Sequence, residues 1–140
     1  MNKILKISLI VVGSLLVFIL SFFLFLLING SCNLDYTKED ERFPDWMNGI
    51  KDDTYLHEVV IPGSHDAGSY GMNWLGETQN YSIKEQLELG VRYFDLRVNN
   101  NNGNLIIYHS IINGSEFIPM LQDIKEFITN HPTETLLLDF

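Results

Sequence analysis

The sequence predicts a mostly parallel α/β domain behind one membrane-crossing helix, and three observations carry that prediction. The first is an uncharged apolar run from Ile7 to Ile28, roughly 22 residues, which as a helix reaches about 33 Å and can span a bilayer. The second, beyond Trp46, is an alternation of short β-rich runs with segments whose apolar residues recur at helical spacing, the pattern of strands joined by crossover helices. The third is a polar cluster at the C-terminal end of each of the first three β-rich runs, where parallel barrels gather their active-site loops.

Taken in order, residues 1–6 form a short tail carrying Lys3 and Lys6, and residues 7–28 are the span. Residues 29–45 are polar and punctuated by Pro44, which marks a linker, and the folded part is placed at 46–140. His57-Glu58-Val59-Val60-Ile61 predicts a first strand, stopped by Pro62-Gly63. Ser82-x-x-Glu85 has the form of a capping box and opens a helix over 82–89. A second strand is predicted over 93–98, ended by the turn-forming residues Asn99 to Gly103, and a third over 105–108. Phe117, Ile118, Leu121, Ile124, Phe127 and Ile128 form the apolar face of a helix over 117–128, and 135–140 supply a fourth strand.

Charge is distributed unevenly. All 18 acids and 7 of the 9 bases follow Cys32, so the body carries a net charge of −11. That balance argues against nucleic acid as a partner, because phosphate backbones attract surfaces rich in Lys and Arg. One Cys excludes an internal disulfide framework. Lys3 and Lys6 ahead of the span favour a cytoplasmic N-terminus with the body lumenal or extracellular. A cleaved signal peptide, leaving a secreted body, is the rival reading. Small residues at Gly30, Ser31 and Cys32 support cleavage, whereas an apolar run longer than the usual signal core favours an uncleaved anchor. Asn29 argues against lipid modification of Cys32. Asn29, Asn80 and Asn113 each open an Asn-x-Ser sequon.

The three polar clusters are Pro62-Gly63-Ser64-His65-Asp66-Ala67-Gly68-Ser69, Asp95-Leu96-Arg97 and His109-Ser110. In a parallel barrel these would bring two histidines, two aspartates and an arginine to one pocket. Singly each residue is unremarkable: a strand-end histidine is more often structural, and an Asp beside an Arg is usually a plain ion pair. Their joint placement at strand ends is the informative point.

PGSHDAGS, TQNYSIKEQLELGVRYFDLRV, the YHS tripeptide and HPTETLLLDF, in this order and spacing, closely resemble the X-domain of phosphatidylinositol-specific phospholipase C. The metal-independent, PLC X-domain-containing group is the most similar. The resemblance covers residues from about Trp46 to Phe140. It implies a distorted TIM barrel, of which these residues would be the N-terminal half, since a closed barrel takes about 250 residues. It further implies cleavage of the glycerol oxygen–phosphorus bond of phosphatidylinositol, giving diacylglycerol and an inositol phosphate that is first cyclic.

Such chemistry needs a base for a poorly nucleophilic hydroxyl and an acid for an alkoxide leaving group, tasks suited to histidine. His65 is the candidate base and His109 the candidate acid. By similarity to the family, Asp66 would hydrogen-bond to His109 and hold its ring oriented and protonated. Arg97 would neutralise charge on the non-bridging phosphate oxygens, and Asp95, on the same strand face, would hold Arg97. Calcium-dependent relatives are expected to have an acid-x-acid pair on that strand and Asn after the first His. Here Asp95-x-Arg97 and His65-Asp66 stand instead, so no metal and no cofactor are expected.

Asp139, at the end of the fourth strand, and Trp74 are candidates for touching substrate, Trp74 by stacking or lipid contact alongside Tyr70 and Tyr81. His57 is read as structural and His131 as a helix C-terminal residue. A half-barrel would leave an unpaired sheet edge, so a partial chain with little turnover of its own is expected. The alternative class is a membrane-anchored, non-catalytic fragment that binds lipid or protein, against which the acidic body argues.

Overall fold

In the computed structural model, residues 2–29 and 41–140 are described; residues 30–40, with Cys32 and most of the expected linker, lie outside them. The chain divides into two compact units, 1–33 and 34–140. The first contains helix α1, Lys3–Asn29, which begins earlier than expected and takes in both lysines. Its stretch Lys3–Ile28 is long and apolar enough to cross a membrane, a property that membrane spans and signal sequences share. Within that apolar surround the Ser14 hydroxyl donates to the Ile10 carbonyl at 2.9 Å, satisfying its own donor inside the helix.

The second unit is α/β. Strands β1 (Gly63–Ser64), β2 (Tyr93–Asp95) and β6 (Leu137–Asp139) form a parallel sheet in the order β1-β2-β6. Helices α2 (Ile83–Glu88) and α3 (Phe117–Asn130) supply the crossovers. Ser82 caps α2 as its spacing predicts, its Oγ accepting from the Glu85 amide while Glu85 Oε2 accepts from the Ser82 amide at 3.0 Å. Phe94 and Leu96 on the helix side of β2 pack with Ile83 and Leu87 of α2 and with Phe117, Ile124 and Phe127 of α3. Each such side chain contributes about 1.5–3 kcal/mol by leaving water. This core fixes the opposite face of the same strands, on which Tyr93, Asp95 and Asp139 stand.

Three elements differ from expectation. The run 57–61 does not pair as a strand: Leu56–Glu58 is a 3-10 turn closed by the Tyr55 amide on Glu58 Oε2 at 3.0 Å. Pairing with β2 begins instead at the Pro62 carbonyl, which accepts from the Arg92 and Tyr93 amides. The close approach there needs glycine, since a Cβ at Gly63 would lie 3.2 Å from Tyr93 Cδ1.

The expected strand 93–98 is split between two sheets, because Val98–Asn101 (β3) leaves the parallel sheet. It pairs antiparallel with β4 (Asn104–His109), which pairs in turn with β5 (Ile112–Glu116). The 105–108 run thus belongs to this second sheet. Asn102 and Gly103, both at positive φ, make the tight turn between β3 and β4 that Asn-Gly favours.

The body is packed from Phe43 onward. The Phe43 amide donates to the Glu88 carbonyl at 2.9 Å, and Trp46 Nε1 donates to the Gly90 carbonyl at 2.9 Å. Arg92, completely buried, donates through Nε to the equally buried Glu134 at 2.8 Å. Its remaining nitrogens donate to the carbonyls of Leu87, Val91 and Pro44. Glu134 Oε1 accepts from the Met47 amide at 3.1 Å, so the pair is charge-balanced and hydrogen-bonded, the condition for tolerating buried charge.

Candidate active site

The sharp turn after β1 brings His65 and Asp66 to the end of β2, where Asp95 stands. Asp66 adopts a positive φ of 48°, and the Ala67 amide donates to the Asp95 carbonyl at 2.8 Å, which ties the turn to the end of β2. Asp66 is thereby buried, its carboxylate facing three cationic or potentially cationic groups. Arg97 Nε lies 2.8 Å from Oδ1, His65 Nε2 3.1 Å and His109 Nε2 3.5 Å from Oδ2. The hairpin β3–β4 delivers His109, since it departs from the parallel sheet immediately after Arg97 and returns the Tyr108 amide to the Arg97 carbonyl at 3.0 Å.

All five sequence-predicted members, His65, Asp66, Asp95, Arg97 and His109, therefore converge, with partners that differ from those expected. Asp66 sits nearer to His65 than to His109, and its shortest contact is with Arg97. Asp95 Oδ2 lies 2.8 Å from His65 Nδ1 as well as 3.3 Å from an Arg97 terminal nitrogen, so His65 has a carboxylate partner within the chain. Both ring nitrogens of His65 face carboxylates, while the ring itself is largely exposed. Gln79 Nε2 donates to the His65 carbonyl at 2.6 Å, fixing the backbone under the ring.

Burial is the largest single influence on the Asp95 carboxyl and works to raise it, yet the hydrogen bond from Arg97, the Asp66 amide, the Arg97 charge and His65 together outweigh burial and hold Asp95 below the ordinary 3.8. The same hydrogen bond, aided by the Asp66 charge, pushes the Arg97 guanidinium up and keeps it ionised.

A cavity of about 460 Å³ opens beside this cluster, walled by Gly63, His65, Tyr93, Asp95, Arg97 and Asp139. Asp139 thus stands in the site, its carboxylate accepting from the Tyr93 hydroxyl at 2.7 Å. That bond raises the Tyr93 phenol above 10.0. Tyr93 was not singled out in the sequence, although Tyr93, Asp95 and Arg97 alternate along one strand face. Trp74 is half-buried and does not line the cavity. His57 stacks on Tyr55 with ring centroids 5.5 Å apart. His131 caps α3 and pairs with Asp45 at 2.7 Å. A slightly larger cavity, about 510 Å³, is lined by Met47, Ile50, Leu56, Ile61 and Leu137 among others. It holds no histidine or arginine, so the chemistry belongs to the first.

His65, Asp66 and Asp95 offer ligand atoms within 4.8 Å of one another, the spacing of a metal-ligand set. The Arg97 guanidinium already lies against both carboxylates and puts a fixed positive charge where a cation would sit.

The description "Phosphatidylinositol-specific phospholipase C, X domain" matches residues 53–140. The chain belongs to that family. It is 35% identical over 136 residues to a 1-phosphatidylinositol phosphodiesterase of Listeria monocytogenes, covering 89% of this chain and 42% of the relative. To PI-PLC X domain-containing protein 2 of Mus musculus it is 33% identical over 135 residues, covering 69% of this chain and 38% of that one. Among solved structures it is similar to the Staphylococcus aureus phosphatidylinositol-specific phospholipase C carrying the H258Y mutation. There the TM-score is 0.64 and the identity 28%, over 71% of this chain and 35% of the other. The Listeria enzyme's structure gives a TM-score of 0.62 at 32% identity, over 69% of this chain and 37% of that one. The chain spans less than half the length of these relatives.

Proposed function

We propose that this X-domain chain carries the two-histidine part of a phosphodiesterase acting on phosphatidylinositol-type lipids. The observation that carries this reading is the single buried Asp66 carboxylate flanked by His65, His109 and Arg97. His65, steadied at Nδ1 by Asp95, takes the proton of the inositol 2-hydroxyl through Nε2, once the hydroxyl replaces Asp66 as that nitrogen's neighbour. The 2-oxygen attacks phosphorus, and the bond to the glycerol oxygen breaks. His109 gives that oxygen its proton, so diacylglycerol leaves and a cyclic inositol phosphate remains. Water then opens the ring, with the two histidines exchanging roles. Arg97, held between Asp66 and Asp95, neutralises the phosphate oxygens as charge grows on them. Asp139 with Tyr93 offers polar contacts to the head group, and Trp74 contributes at the lipid side. The guanidinium does a cation's work, so neither a metal nor another cofactor is required.

In the same reading, residues 46–140 are the first half of a distorted TIM barrel, and α1 is an uncleaved anchor whose cytoplasmic N-terminus leaves the body lumenal or extracellular. Because the relatives are more than twice as long, the 140 residues alone turn over little substrate. The test is a graft: residues 53–140 replace the matching segment of the Listeria monocytogenes phosphodiesterase, and phosphatidylinositol cleavage is followed with and without EDTA. EDTA-resistant cleavage, lost on His65→Ala or His109→Ala, is the expected outcome. A folded graft that needs a divalent metal, or that cleaves equally without both histidines, overturns the reading.

A further inference from the structure

His65 carries the proton transfer of the function proposed above, yet its side chain is 71% exposed, so packing does little to hold the ring. Both ring nitrogens rest on carboxylates instead. In that reaction the inositol hydroxyl displaces Asp66 from Nε2, and the ring is then fixed by Asp95 and by the backbone of its own turn. That backbone is strained, since Asp66 stands at φ +48°, a region costly for a residue with a Cβ. Such a conformation persists only where its surroundings over-determine it.

The carbonyls of the turn each have a donor. That of Asp66 accepts from the Ser69 amide at 2.9 Å, and that of Ala67 from Nε2 of the buried Gln86 at 2.9 Å. The His65 carbonyl accepts from Gln79 Nε2 at 2.6 Å, an exposed bond between residues 14 apart. Closing the loop between them does not require Gln79. Ser69 Oγ already meets the Thr78 hydroxyl at 2.8 Å and accepts from the Thr78 amide at 3.0 Å, and the Gly71 amide donates to Glu77 Oε1 at 2.8 Å. Stability gains little either, because water serves an exposed carbonyl nearly as well as a side chain does. What the bond does is fasten the end of a closed loop to the residue that bears the base.

We infer that Gln79 is a positioning residue for His65. Its side-chain amide, carried on the closed 69–78 loop, holds the His65 carbonyl and so sets the angle at which the imidazole leaves the turn. Nδ1 then stays on Asp95 when Nε2 exchanges Asp66 for the hydroxyl. This role deepens the phosphodiesterase reading and rests on it only for the effect on turnover.

Two substitutions separate donation from shape. Gln79→Met keeps the length of the side chain and has no donor, whereas Gln79→Glu keeps the shape and donates only when its carboxyl is protonated. The full chain in detergent micelles, isotope-labelled at the histidine nitrogens, gives ring signals for His57, His65, His109 and His131, with His65 identified by its loss in His65→Asn. Circular dichroism and melting temperature are expected to match the parent in both variants. At neutral pH the His65 signals should move in both, while those of His131, paired with Asp45, stay. At about pH 4, below the ordinary glutamate value of about 4.3, the Gln79→Glu signals should return to those of the parent at the same pH, and the Gln79→Met signals should not. In the graft, Gln79→Met should lower kcat about 10- to 100-fold, the cost of a slightly misplaced group, with KM unchanged. His65 signals that match the parent in Gln79→Met, a Gln79→Glu difference that persists in acid, or equal movement of His65 and His131 each overturn the positioning role. The histidine signals are read without substrate, so a graft that fails to cleave phosphatidylinositol sinks the functional reading alone, and a graft that cleaves at the parent rate with Gln79→Met sinks the positioning role alone.

Discussion

Arg97 is the residue on which the charge balance of the site turns, because it contacts both acids that also face histidine. A lysine there keeps the charge and loses the fork that reaches Asp66 and Asp95 together. In the graft, Arg97→Ala is expected to lower kcat about 100- to 1,000-fold, the cost of losing one preorganised donor to a developing oxyanion, with Arg97→Lys recovering only part of it.

The same contacts set a pH dependence. Asp95 is held below its ordinary value in the folded chain, so its contribution to stability is complete above about pH 3.8 and is lost as pH falls through the depressed value. Thermal melts between pH 2 and 6 should therefore show a shallower acid limb for Asp95→Asn. Tyr93 has the opposite sign: its phenol is raised by the Asp139 carboxylate, so its contribution holds below pH 10 and fades as pH climbs through the raised value. Tyr93→Phe should flatten that alkaline limb.

At this scale the candidate site was legible because its members gather at the C-terminal ends of β-rich runs in the sequence. Who touches whom was not legible. The His65–Asp95 contact depends on the positive φ of Asp66, and the Tyr93–Asp139 bond on a register between strands distant in the chain, neither of which a local pattern encodes.

Helices were the easier elements to read and strands the harder. α2 has a reciprocal cap and α3 a full apolar face, both local signals. By contrast, 57–61 has the β-branched composition of a strand, yet pairing depends on where a neighbouring backbone can approach, and that is at Gly63. The strand Ile112–Glu116 was missed altogether. Its sequence, INGSE, carries a glycine and a single apolar residue, and it is a strand because β4 is beside it.

The antiparallel insertion that carries His109 is packed on the β1–α2 loop through Gly68, where an added Cβ would sit 2.7 Å from Ile107 Cδ1. Ile107 is branched and buried, so it has little room to yield. Gly68→Ala should destabilise by about 1–3 kcal/mol, measured by urea unfolding, and should loosen His109 with it. At the opposite end of the sheet, Arg92→Met leaves Glu134 buried without a partner. A loss of about 3–5 kcal/mol is expected, with Arg92→Met/Glu134→Leu recovering much of it.

For the whole molecule, the break in composition at Cys32 announces two units of different solvent preference, and the structure bears out an apolar helix and an α/β body. The parallel sheet was legible from strand–helix alternation. The second sheet was not, because a hairpin inserted between β2 and α3 interrupts the alternation without changing the residues on either side of it.

The body presents the C-terminal ends of β1 and β2, and the hairpin beside them, as one polar site in an acidic domain. Its relatives extend over more than twice the sequence that this chain covers, which is why the graft is the direct test of the two-histidine account. The measurement is the phosphorus NMR spectrum of the products released from phosphatidylinositol vesicles by the graft, in EDTA, beside its His65→Ala and His109→Ala variants. The account predicts a cyclic inositol phosphate signal for the parent graft and its loss, by about 100-fold or more, in each variant. Equal signals from the parent and both variants would contradict it.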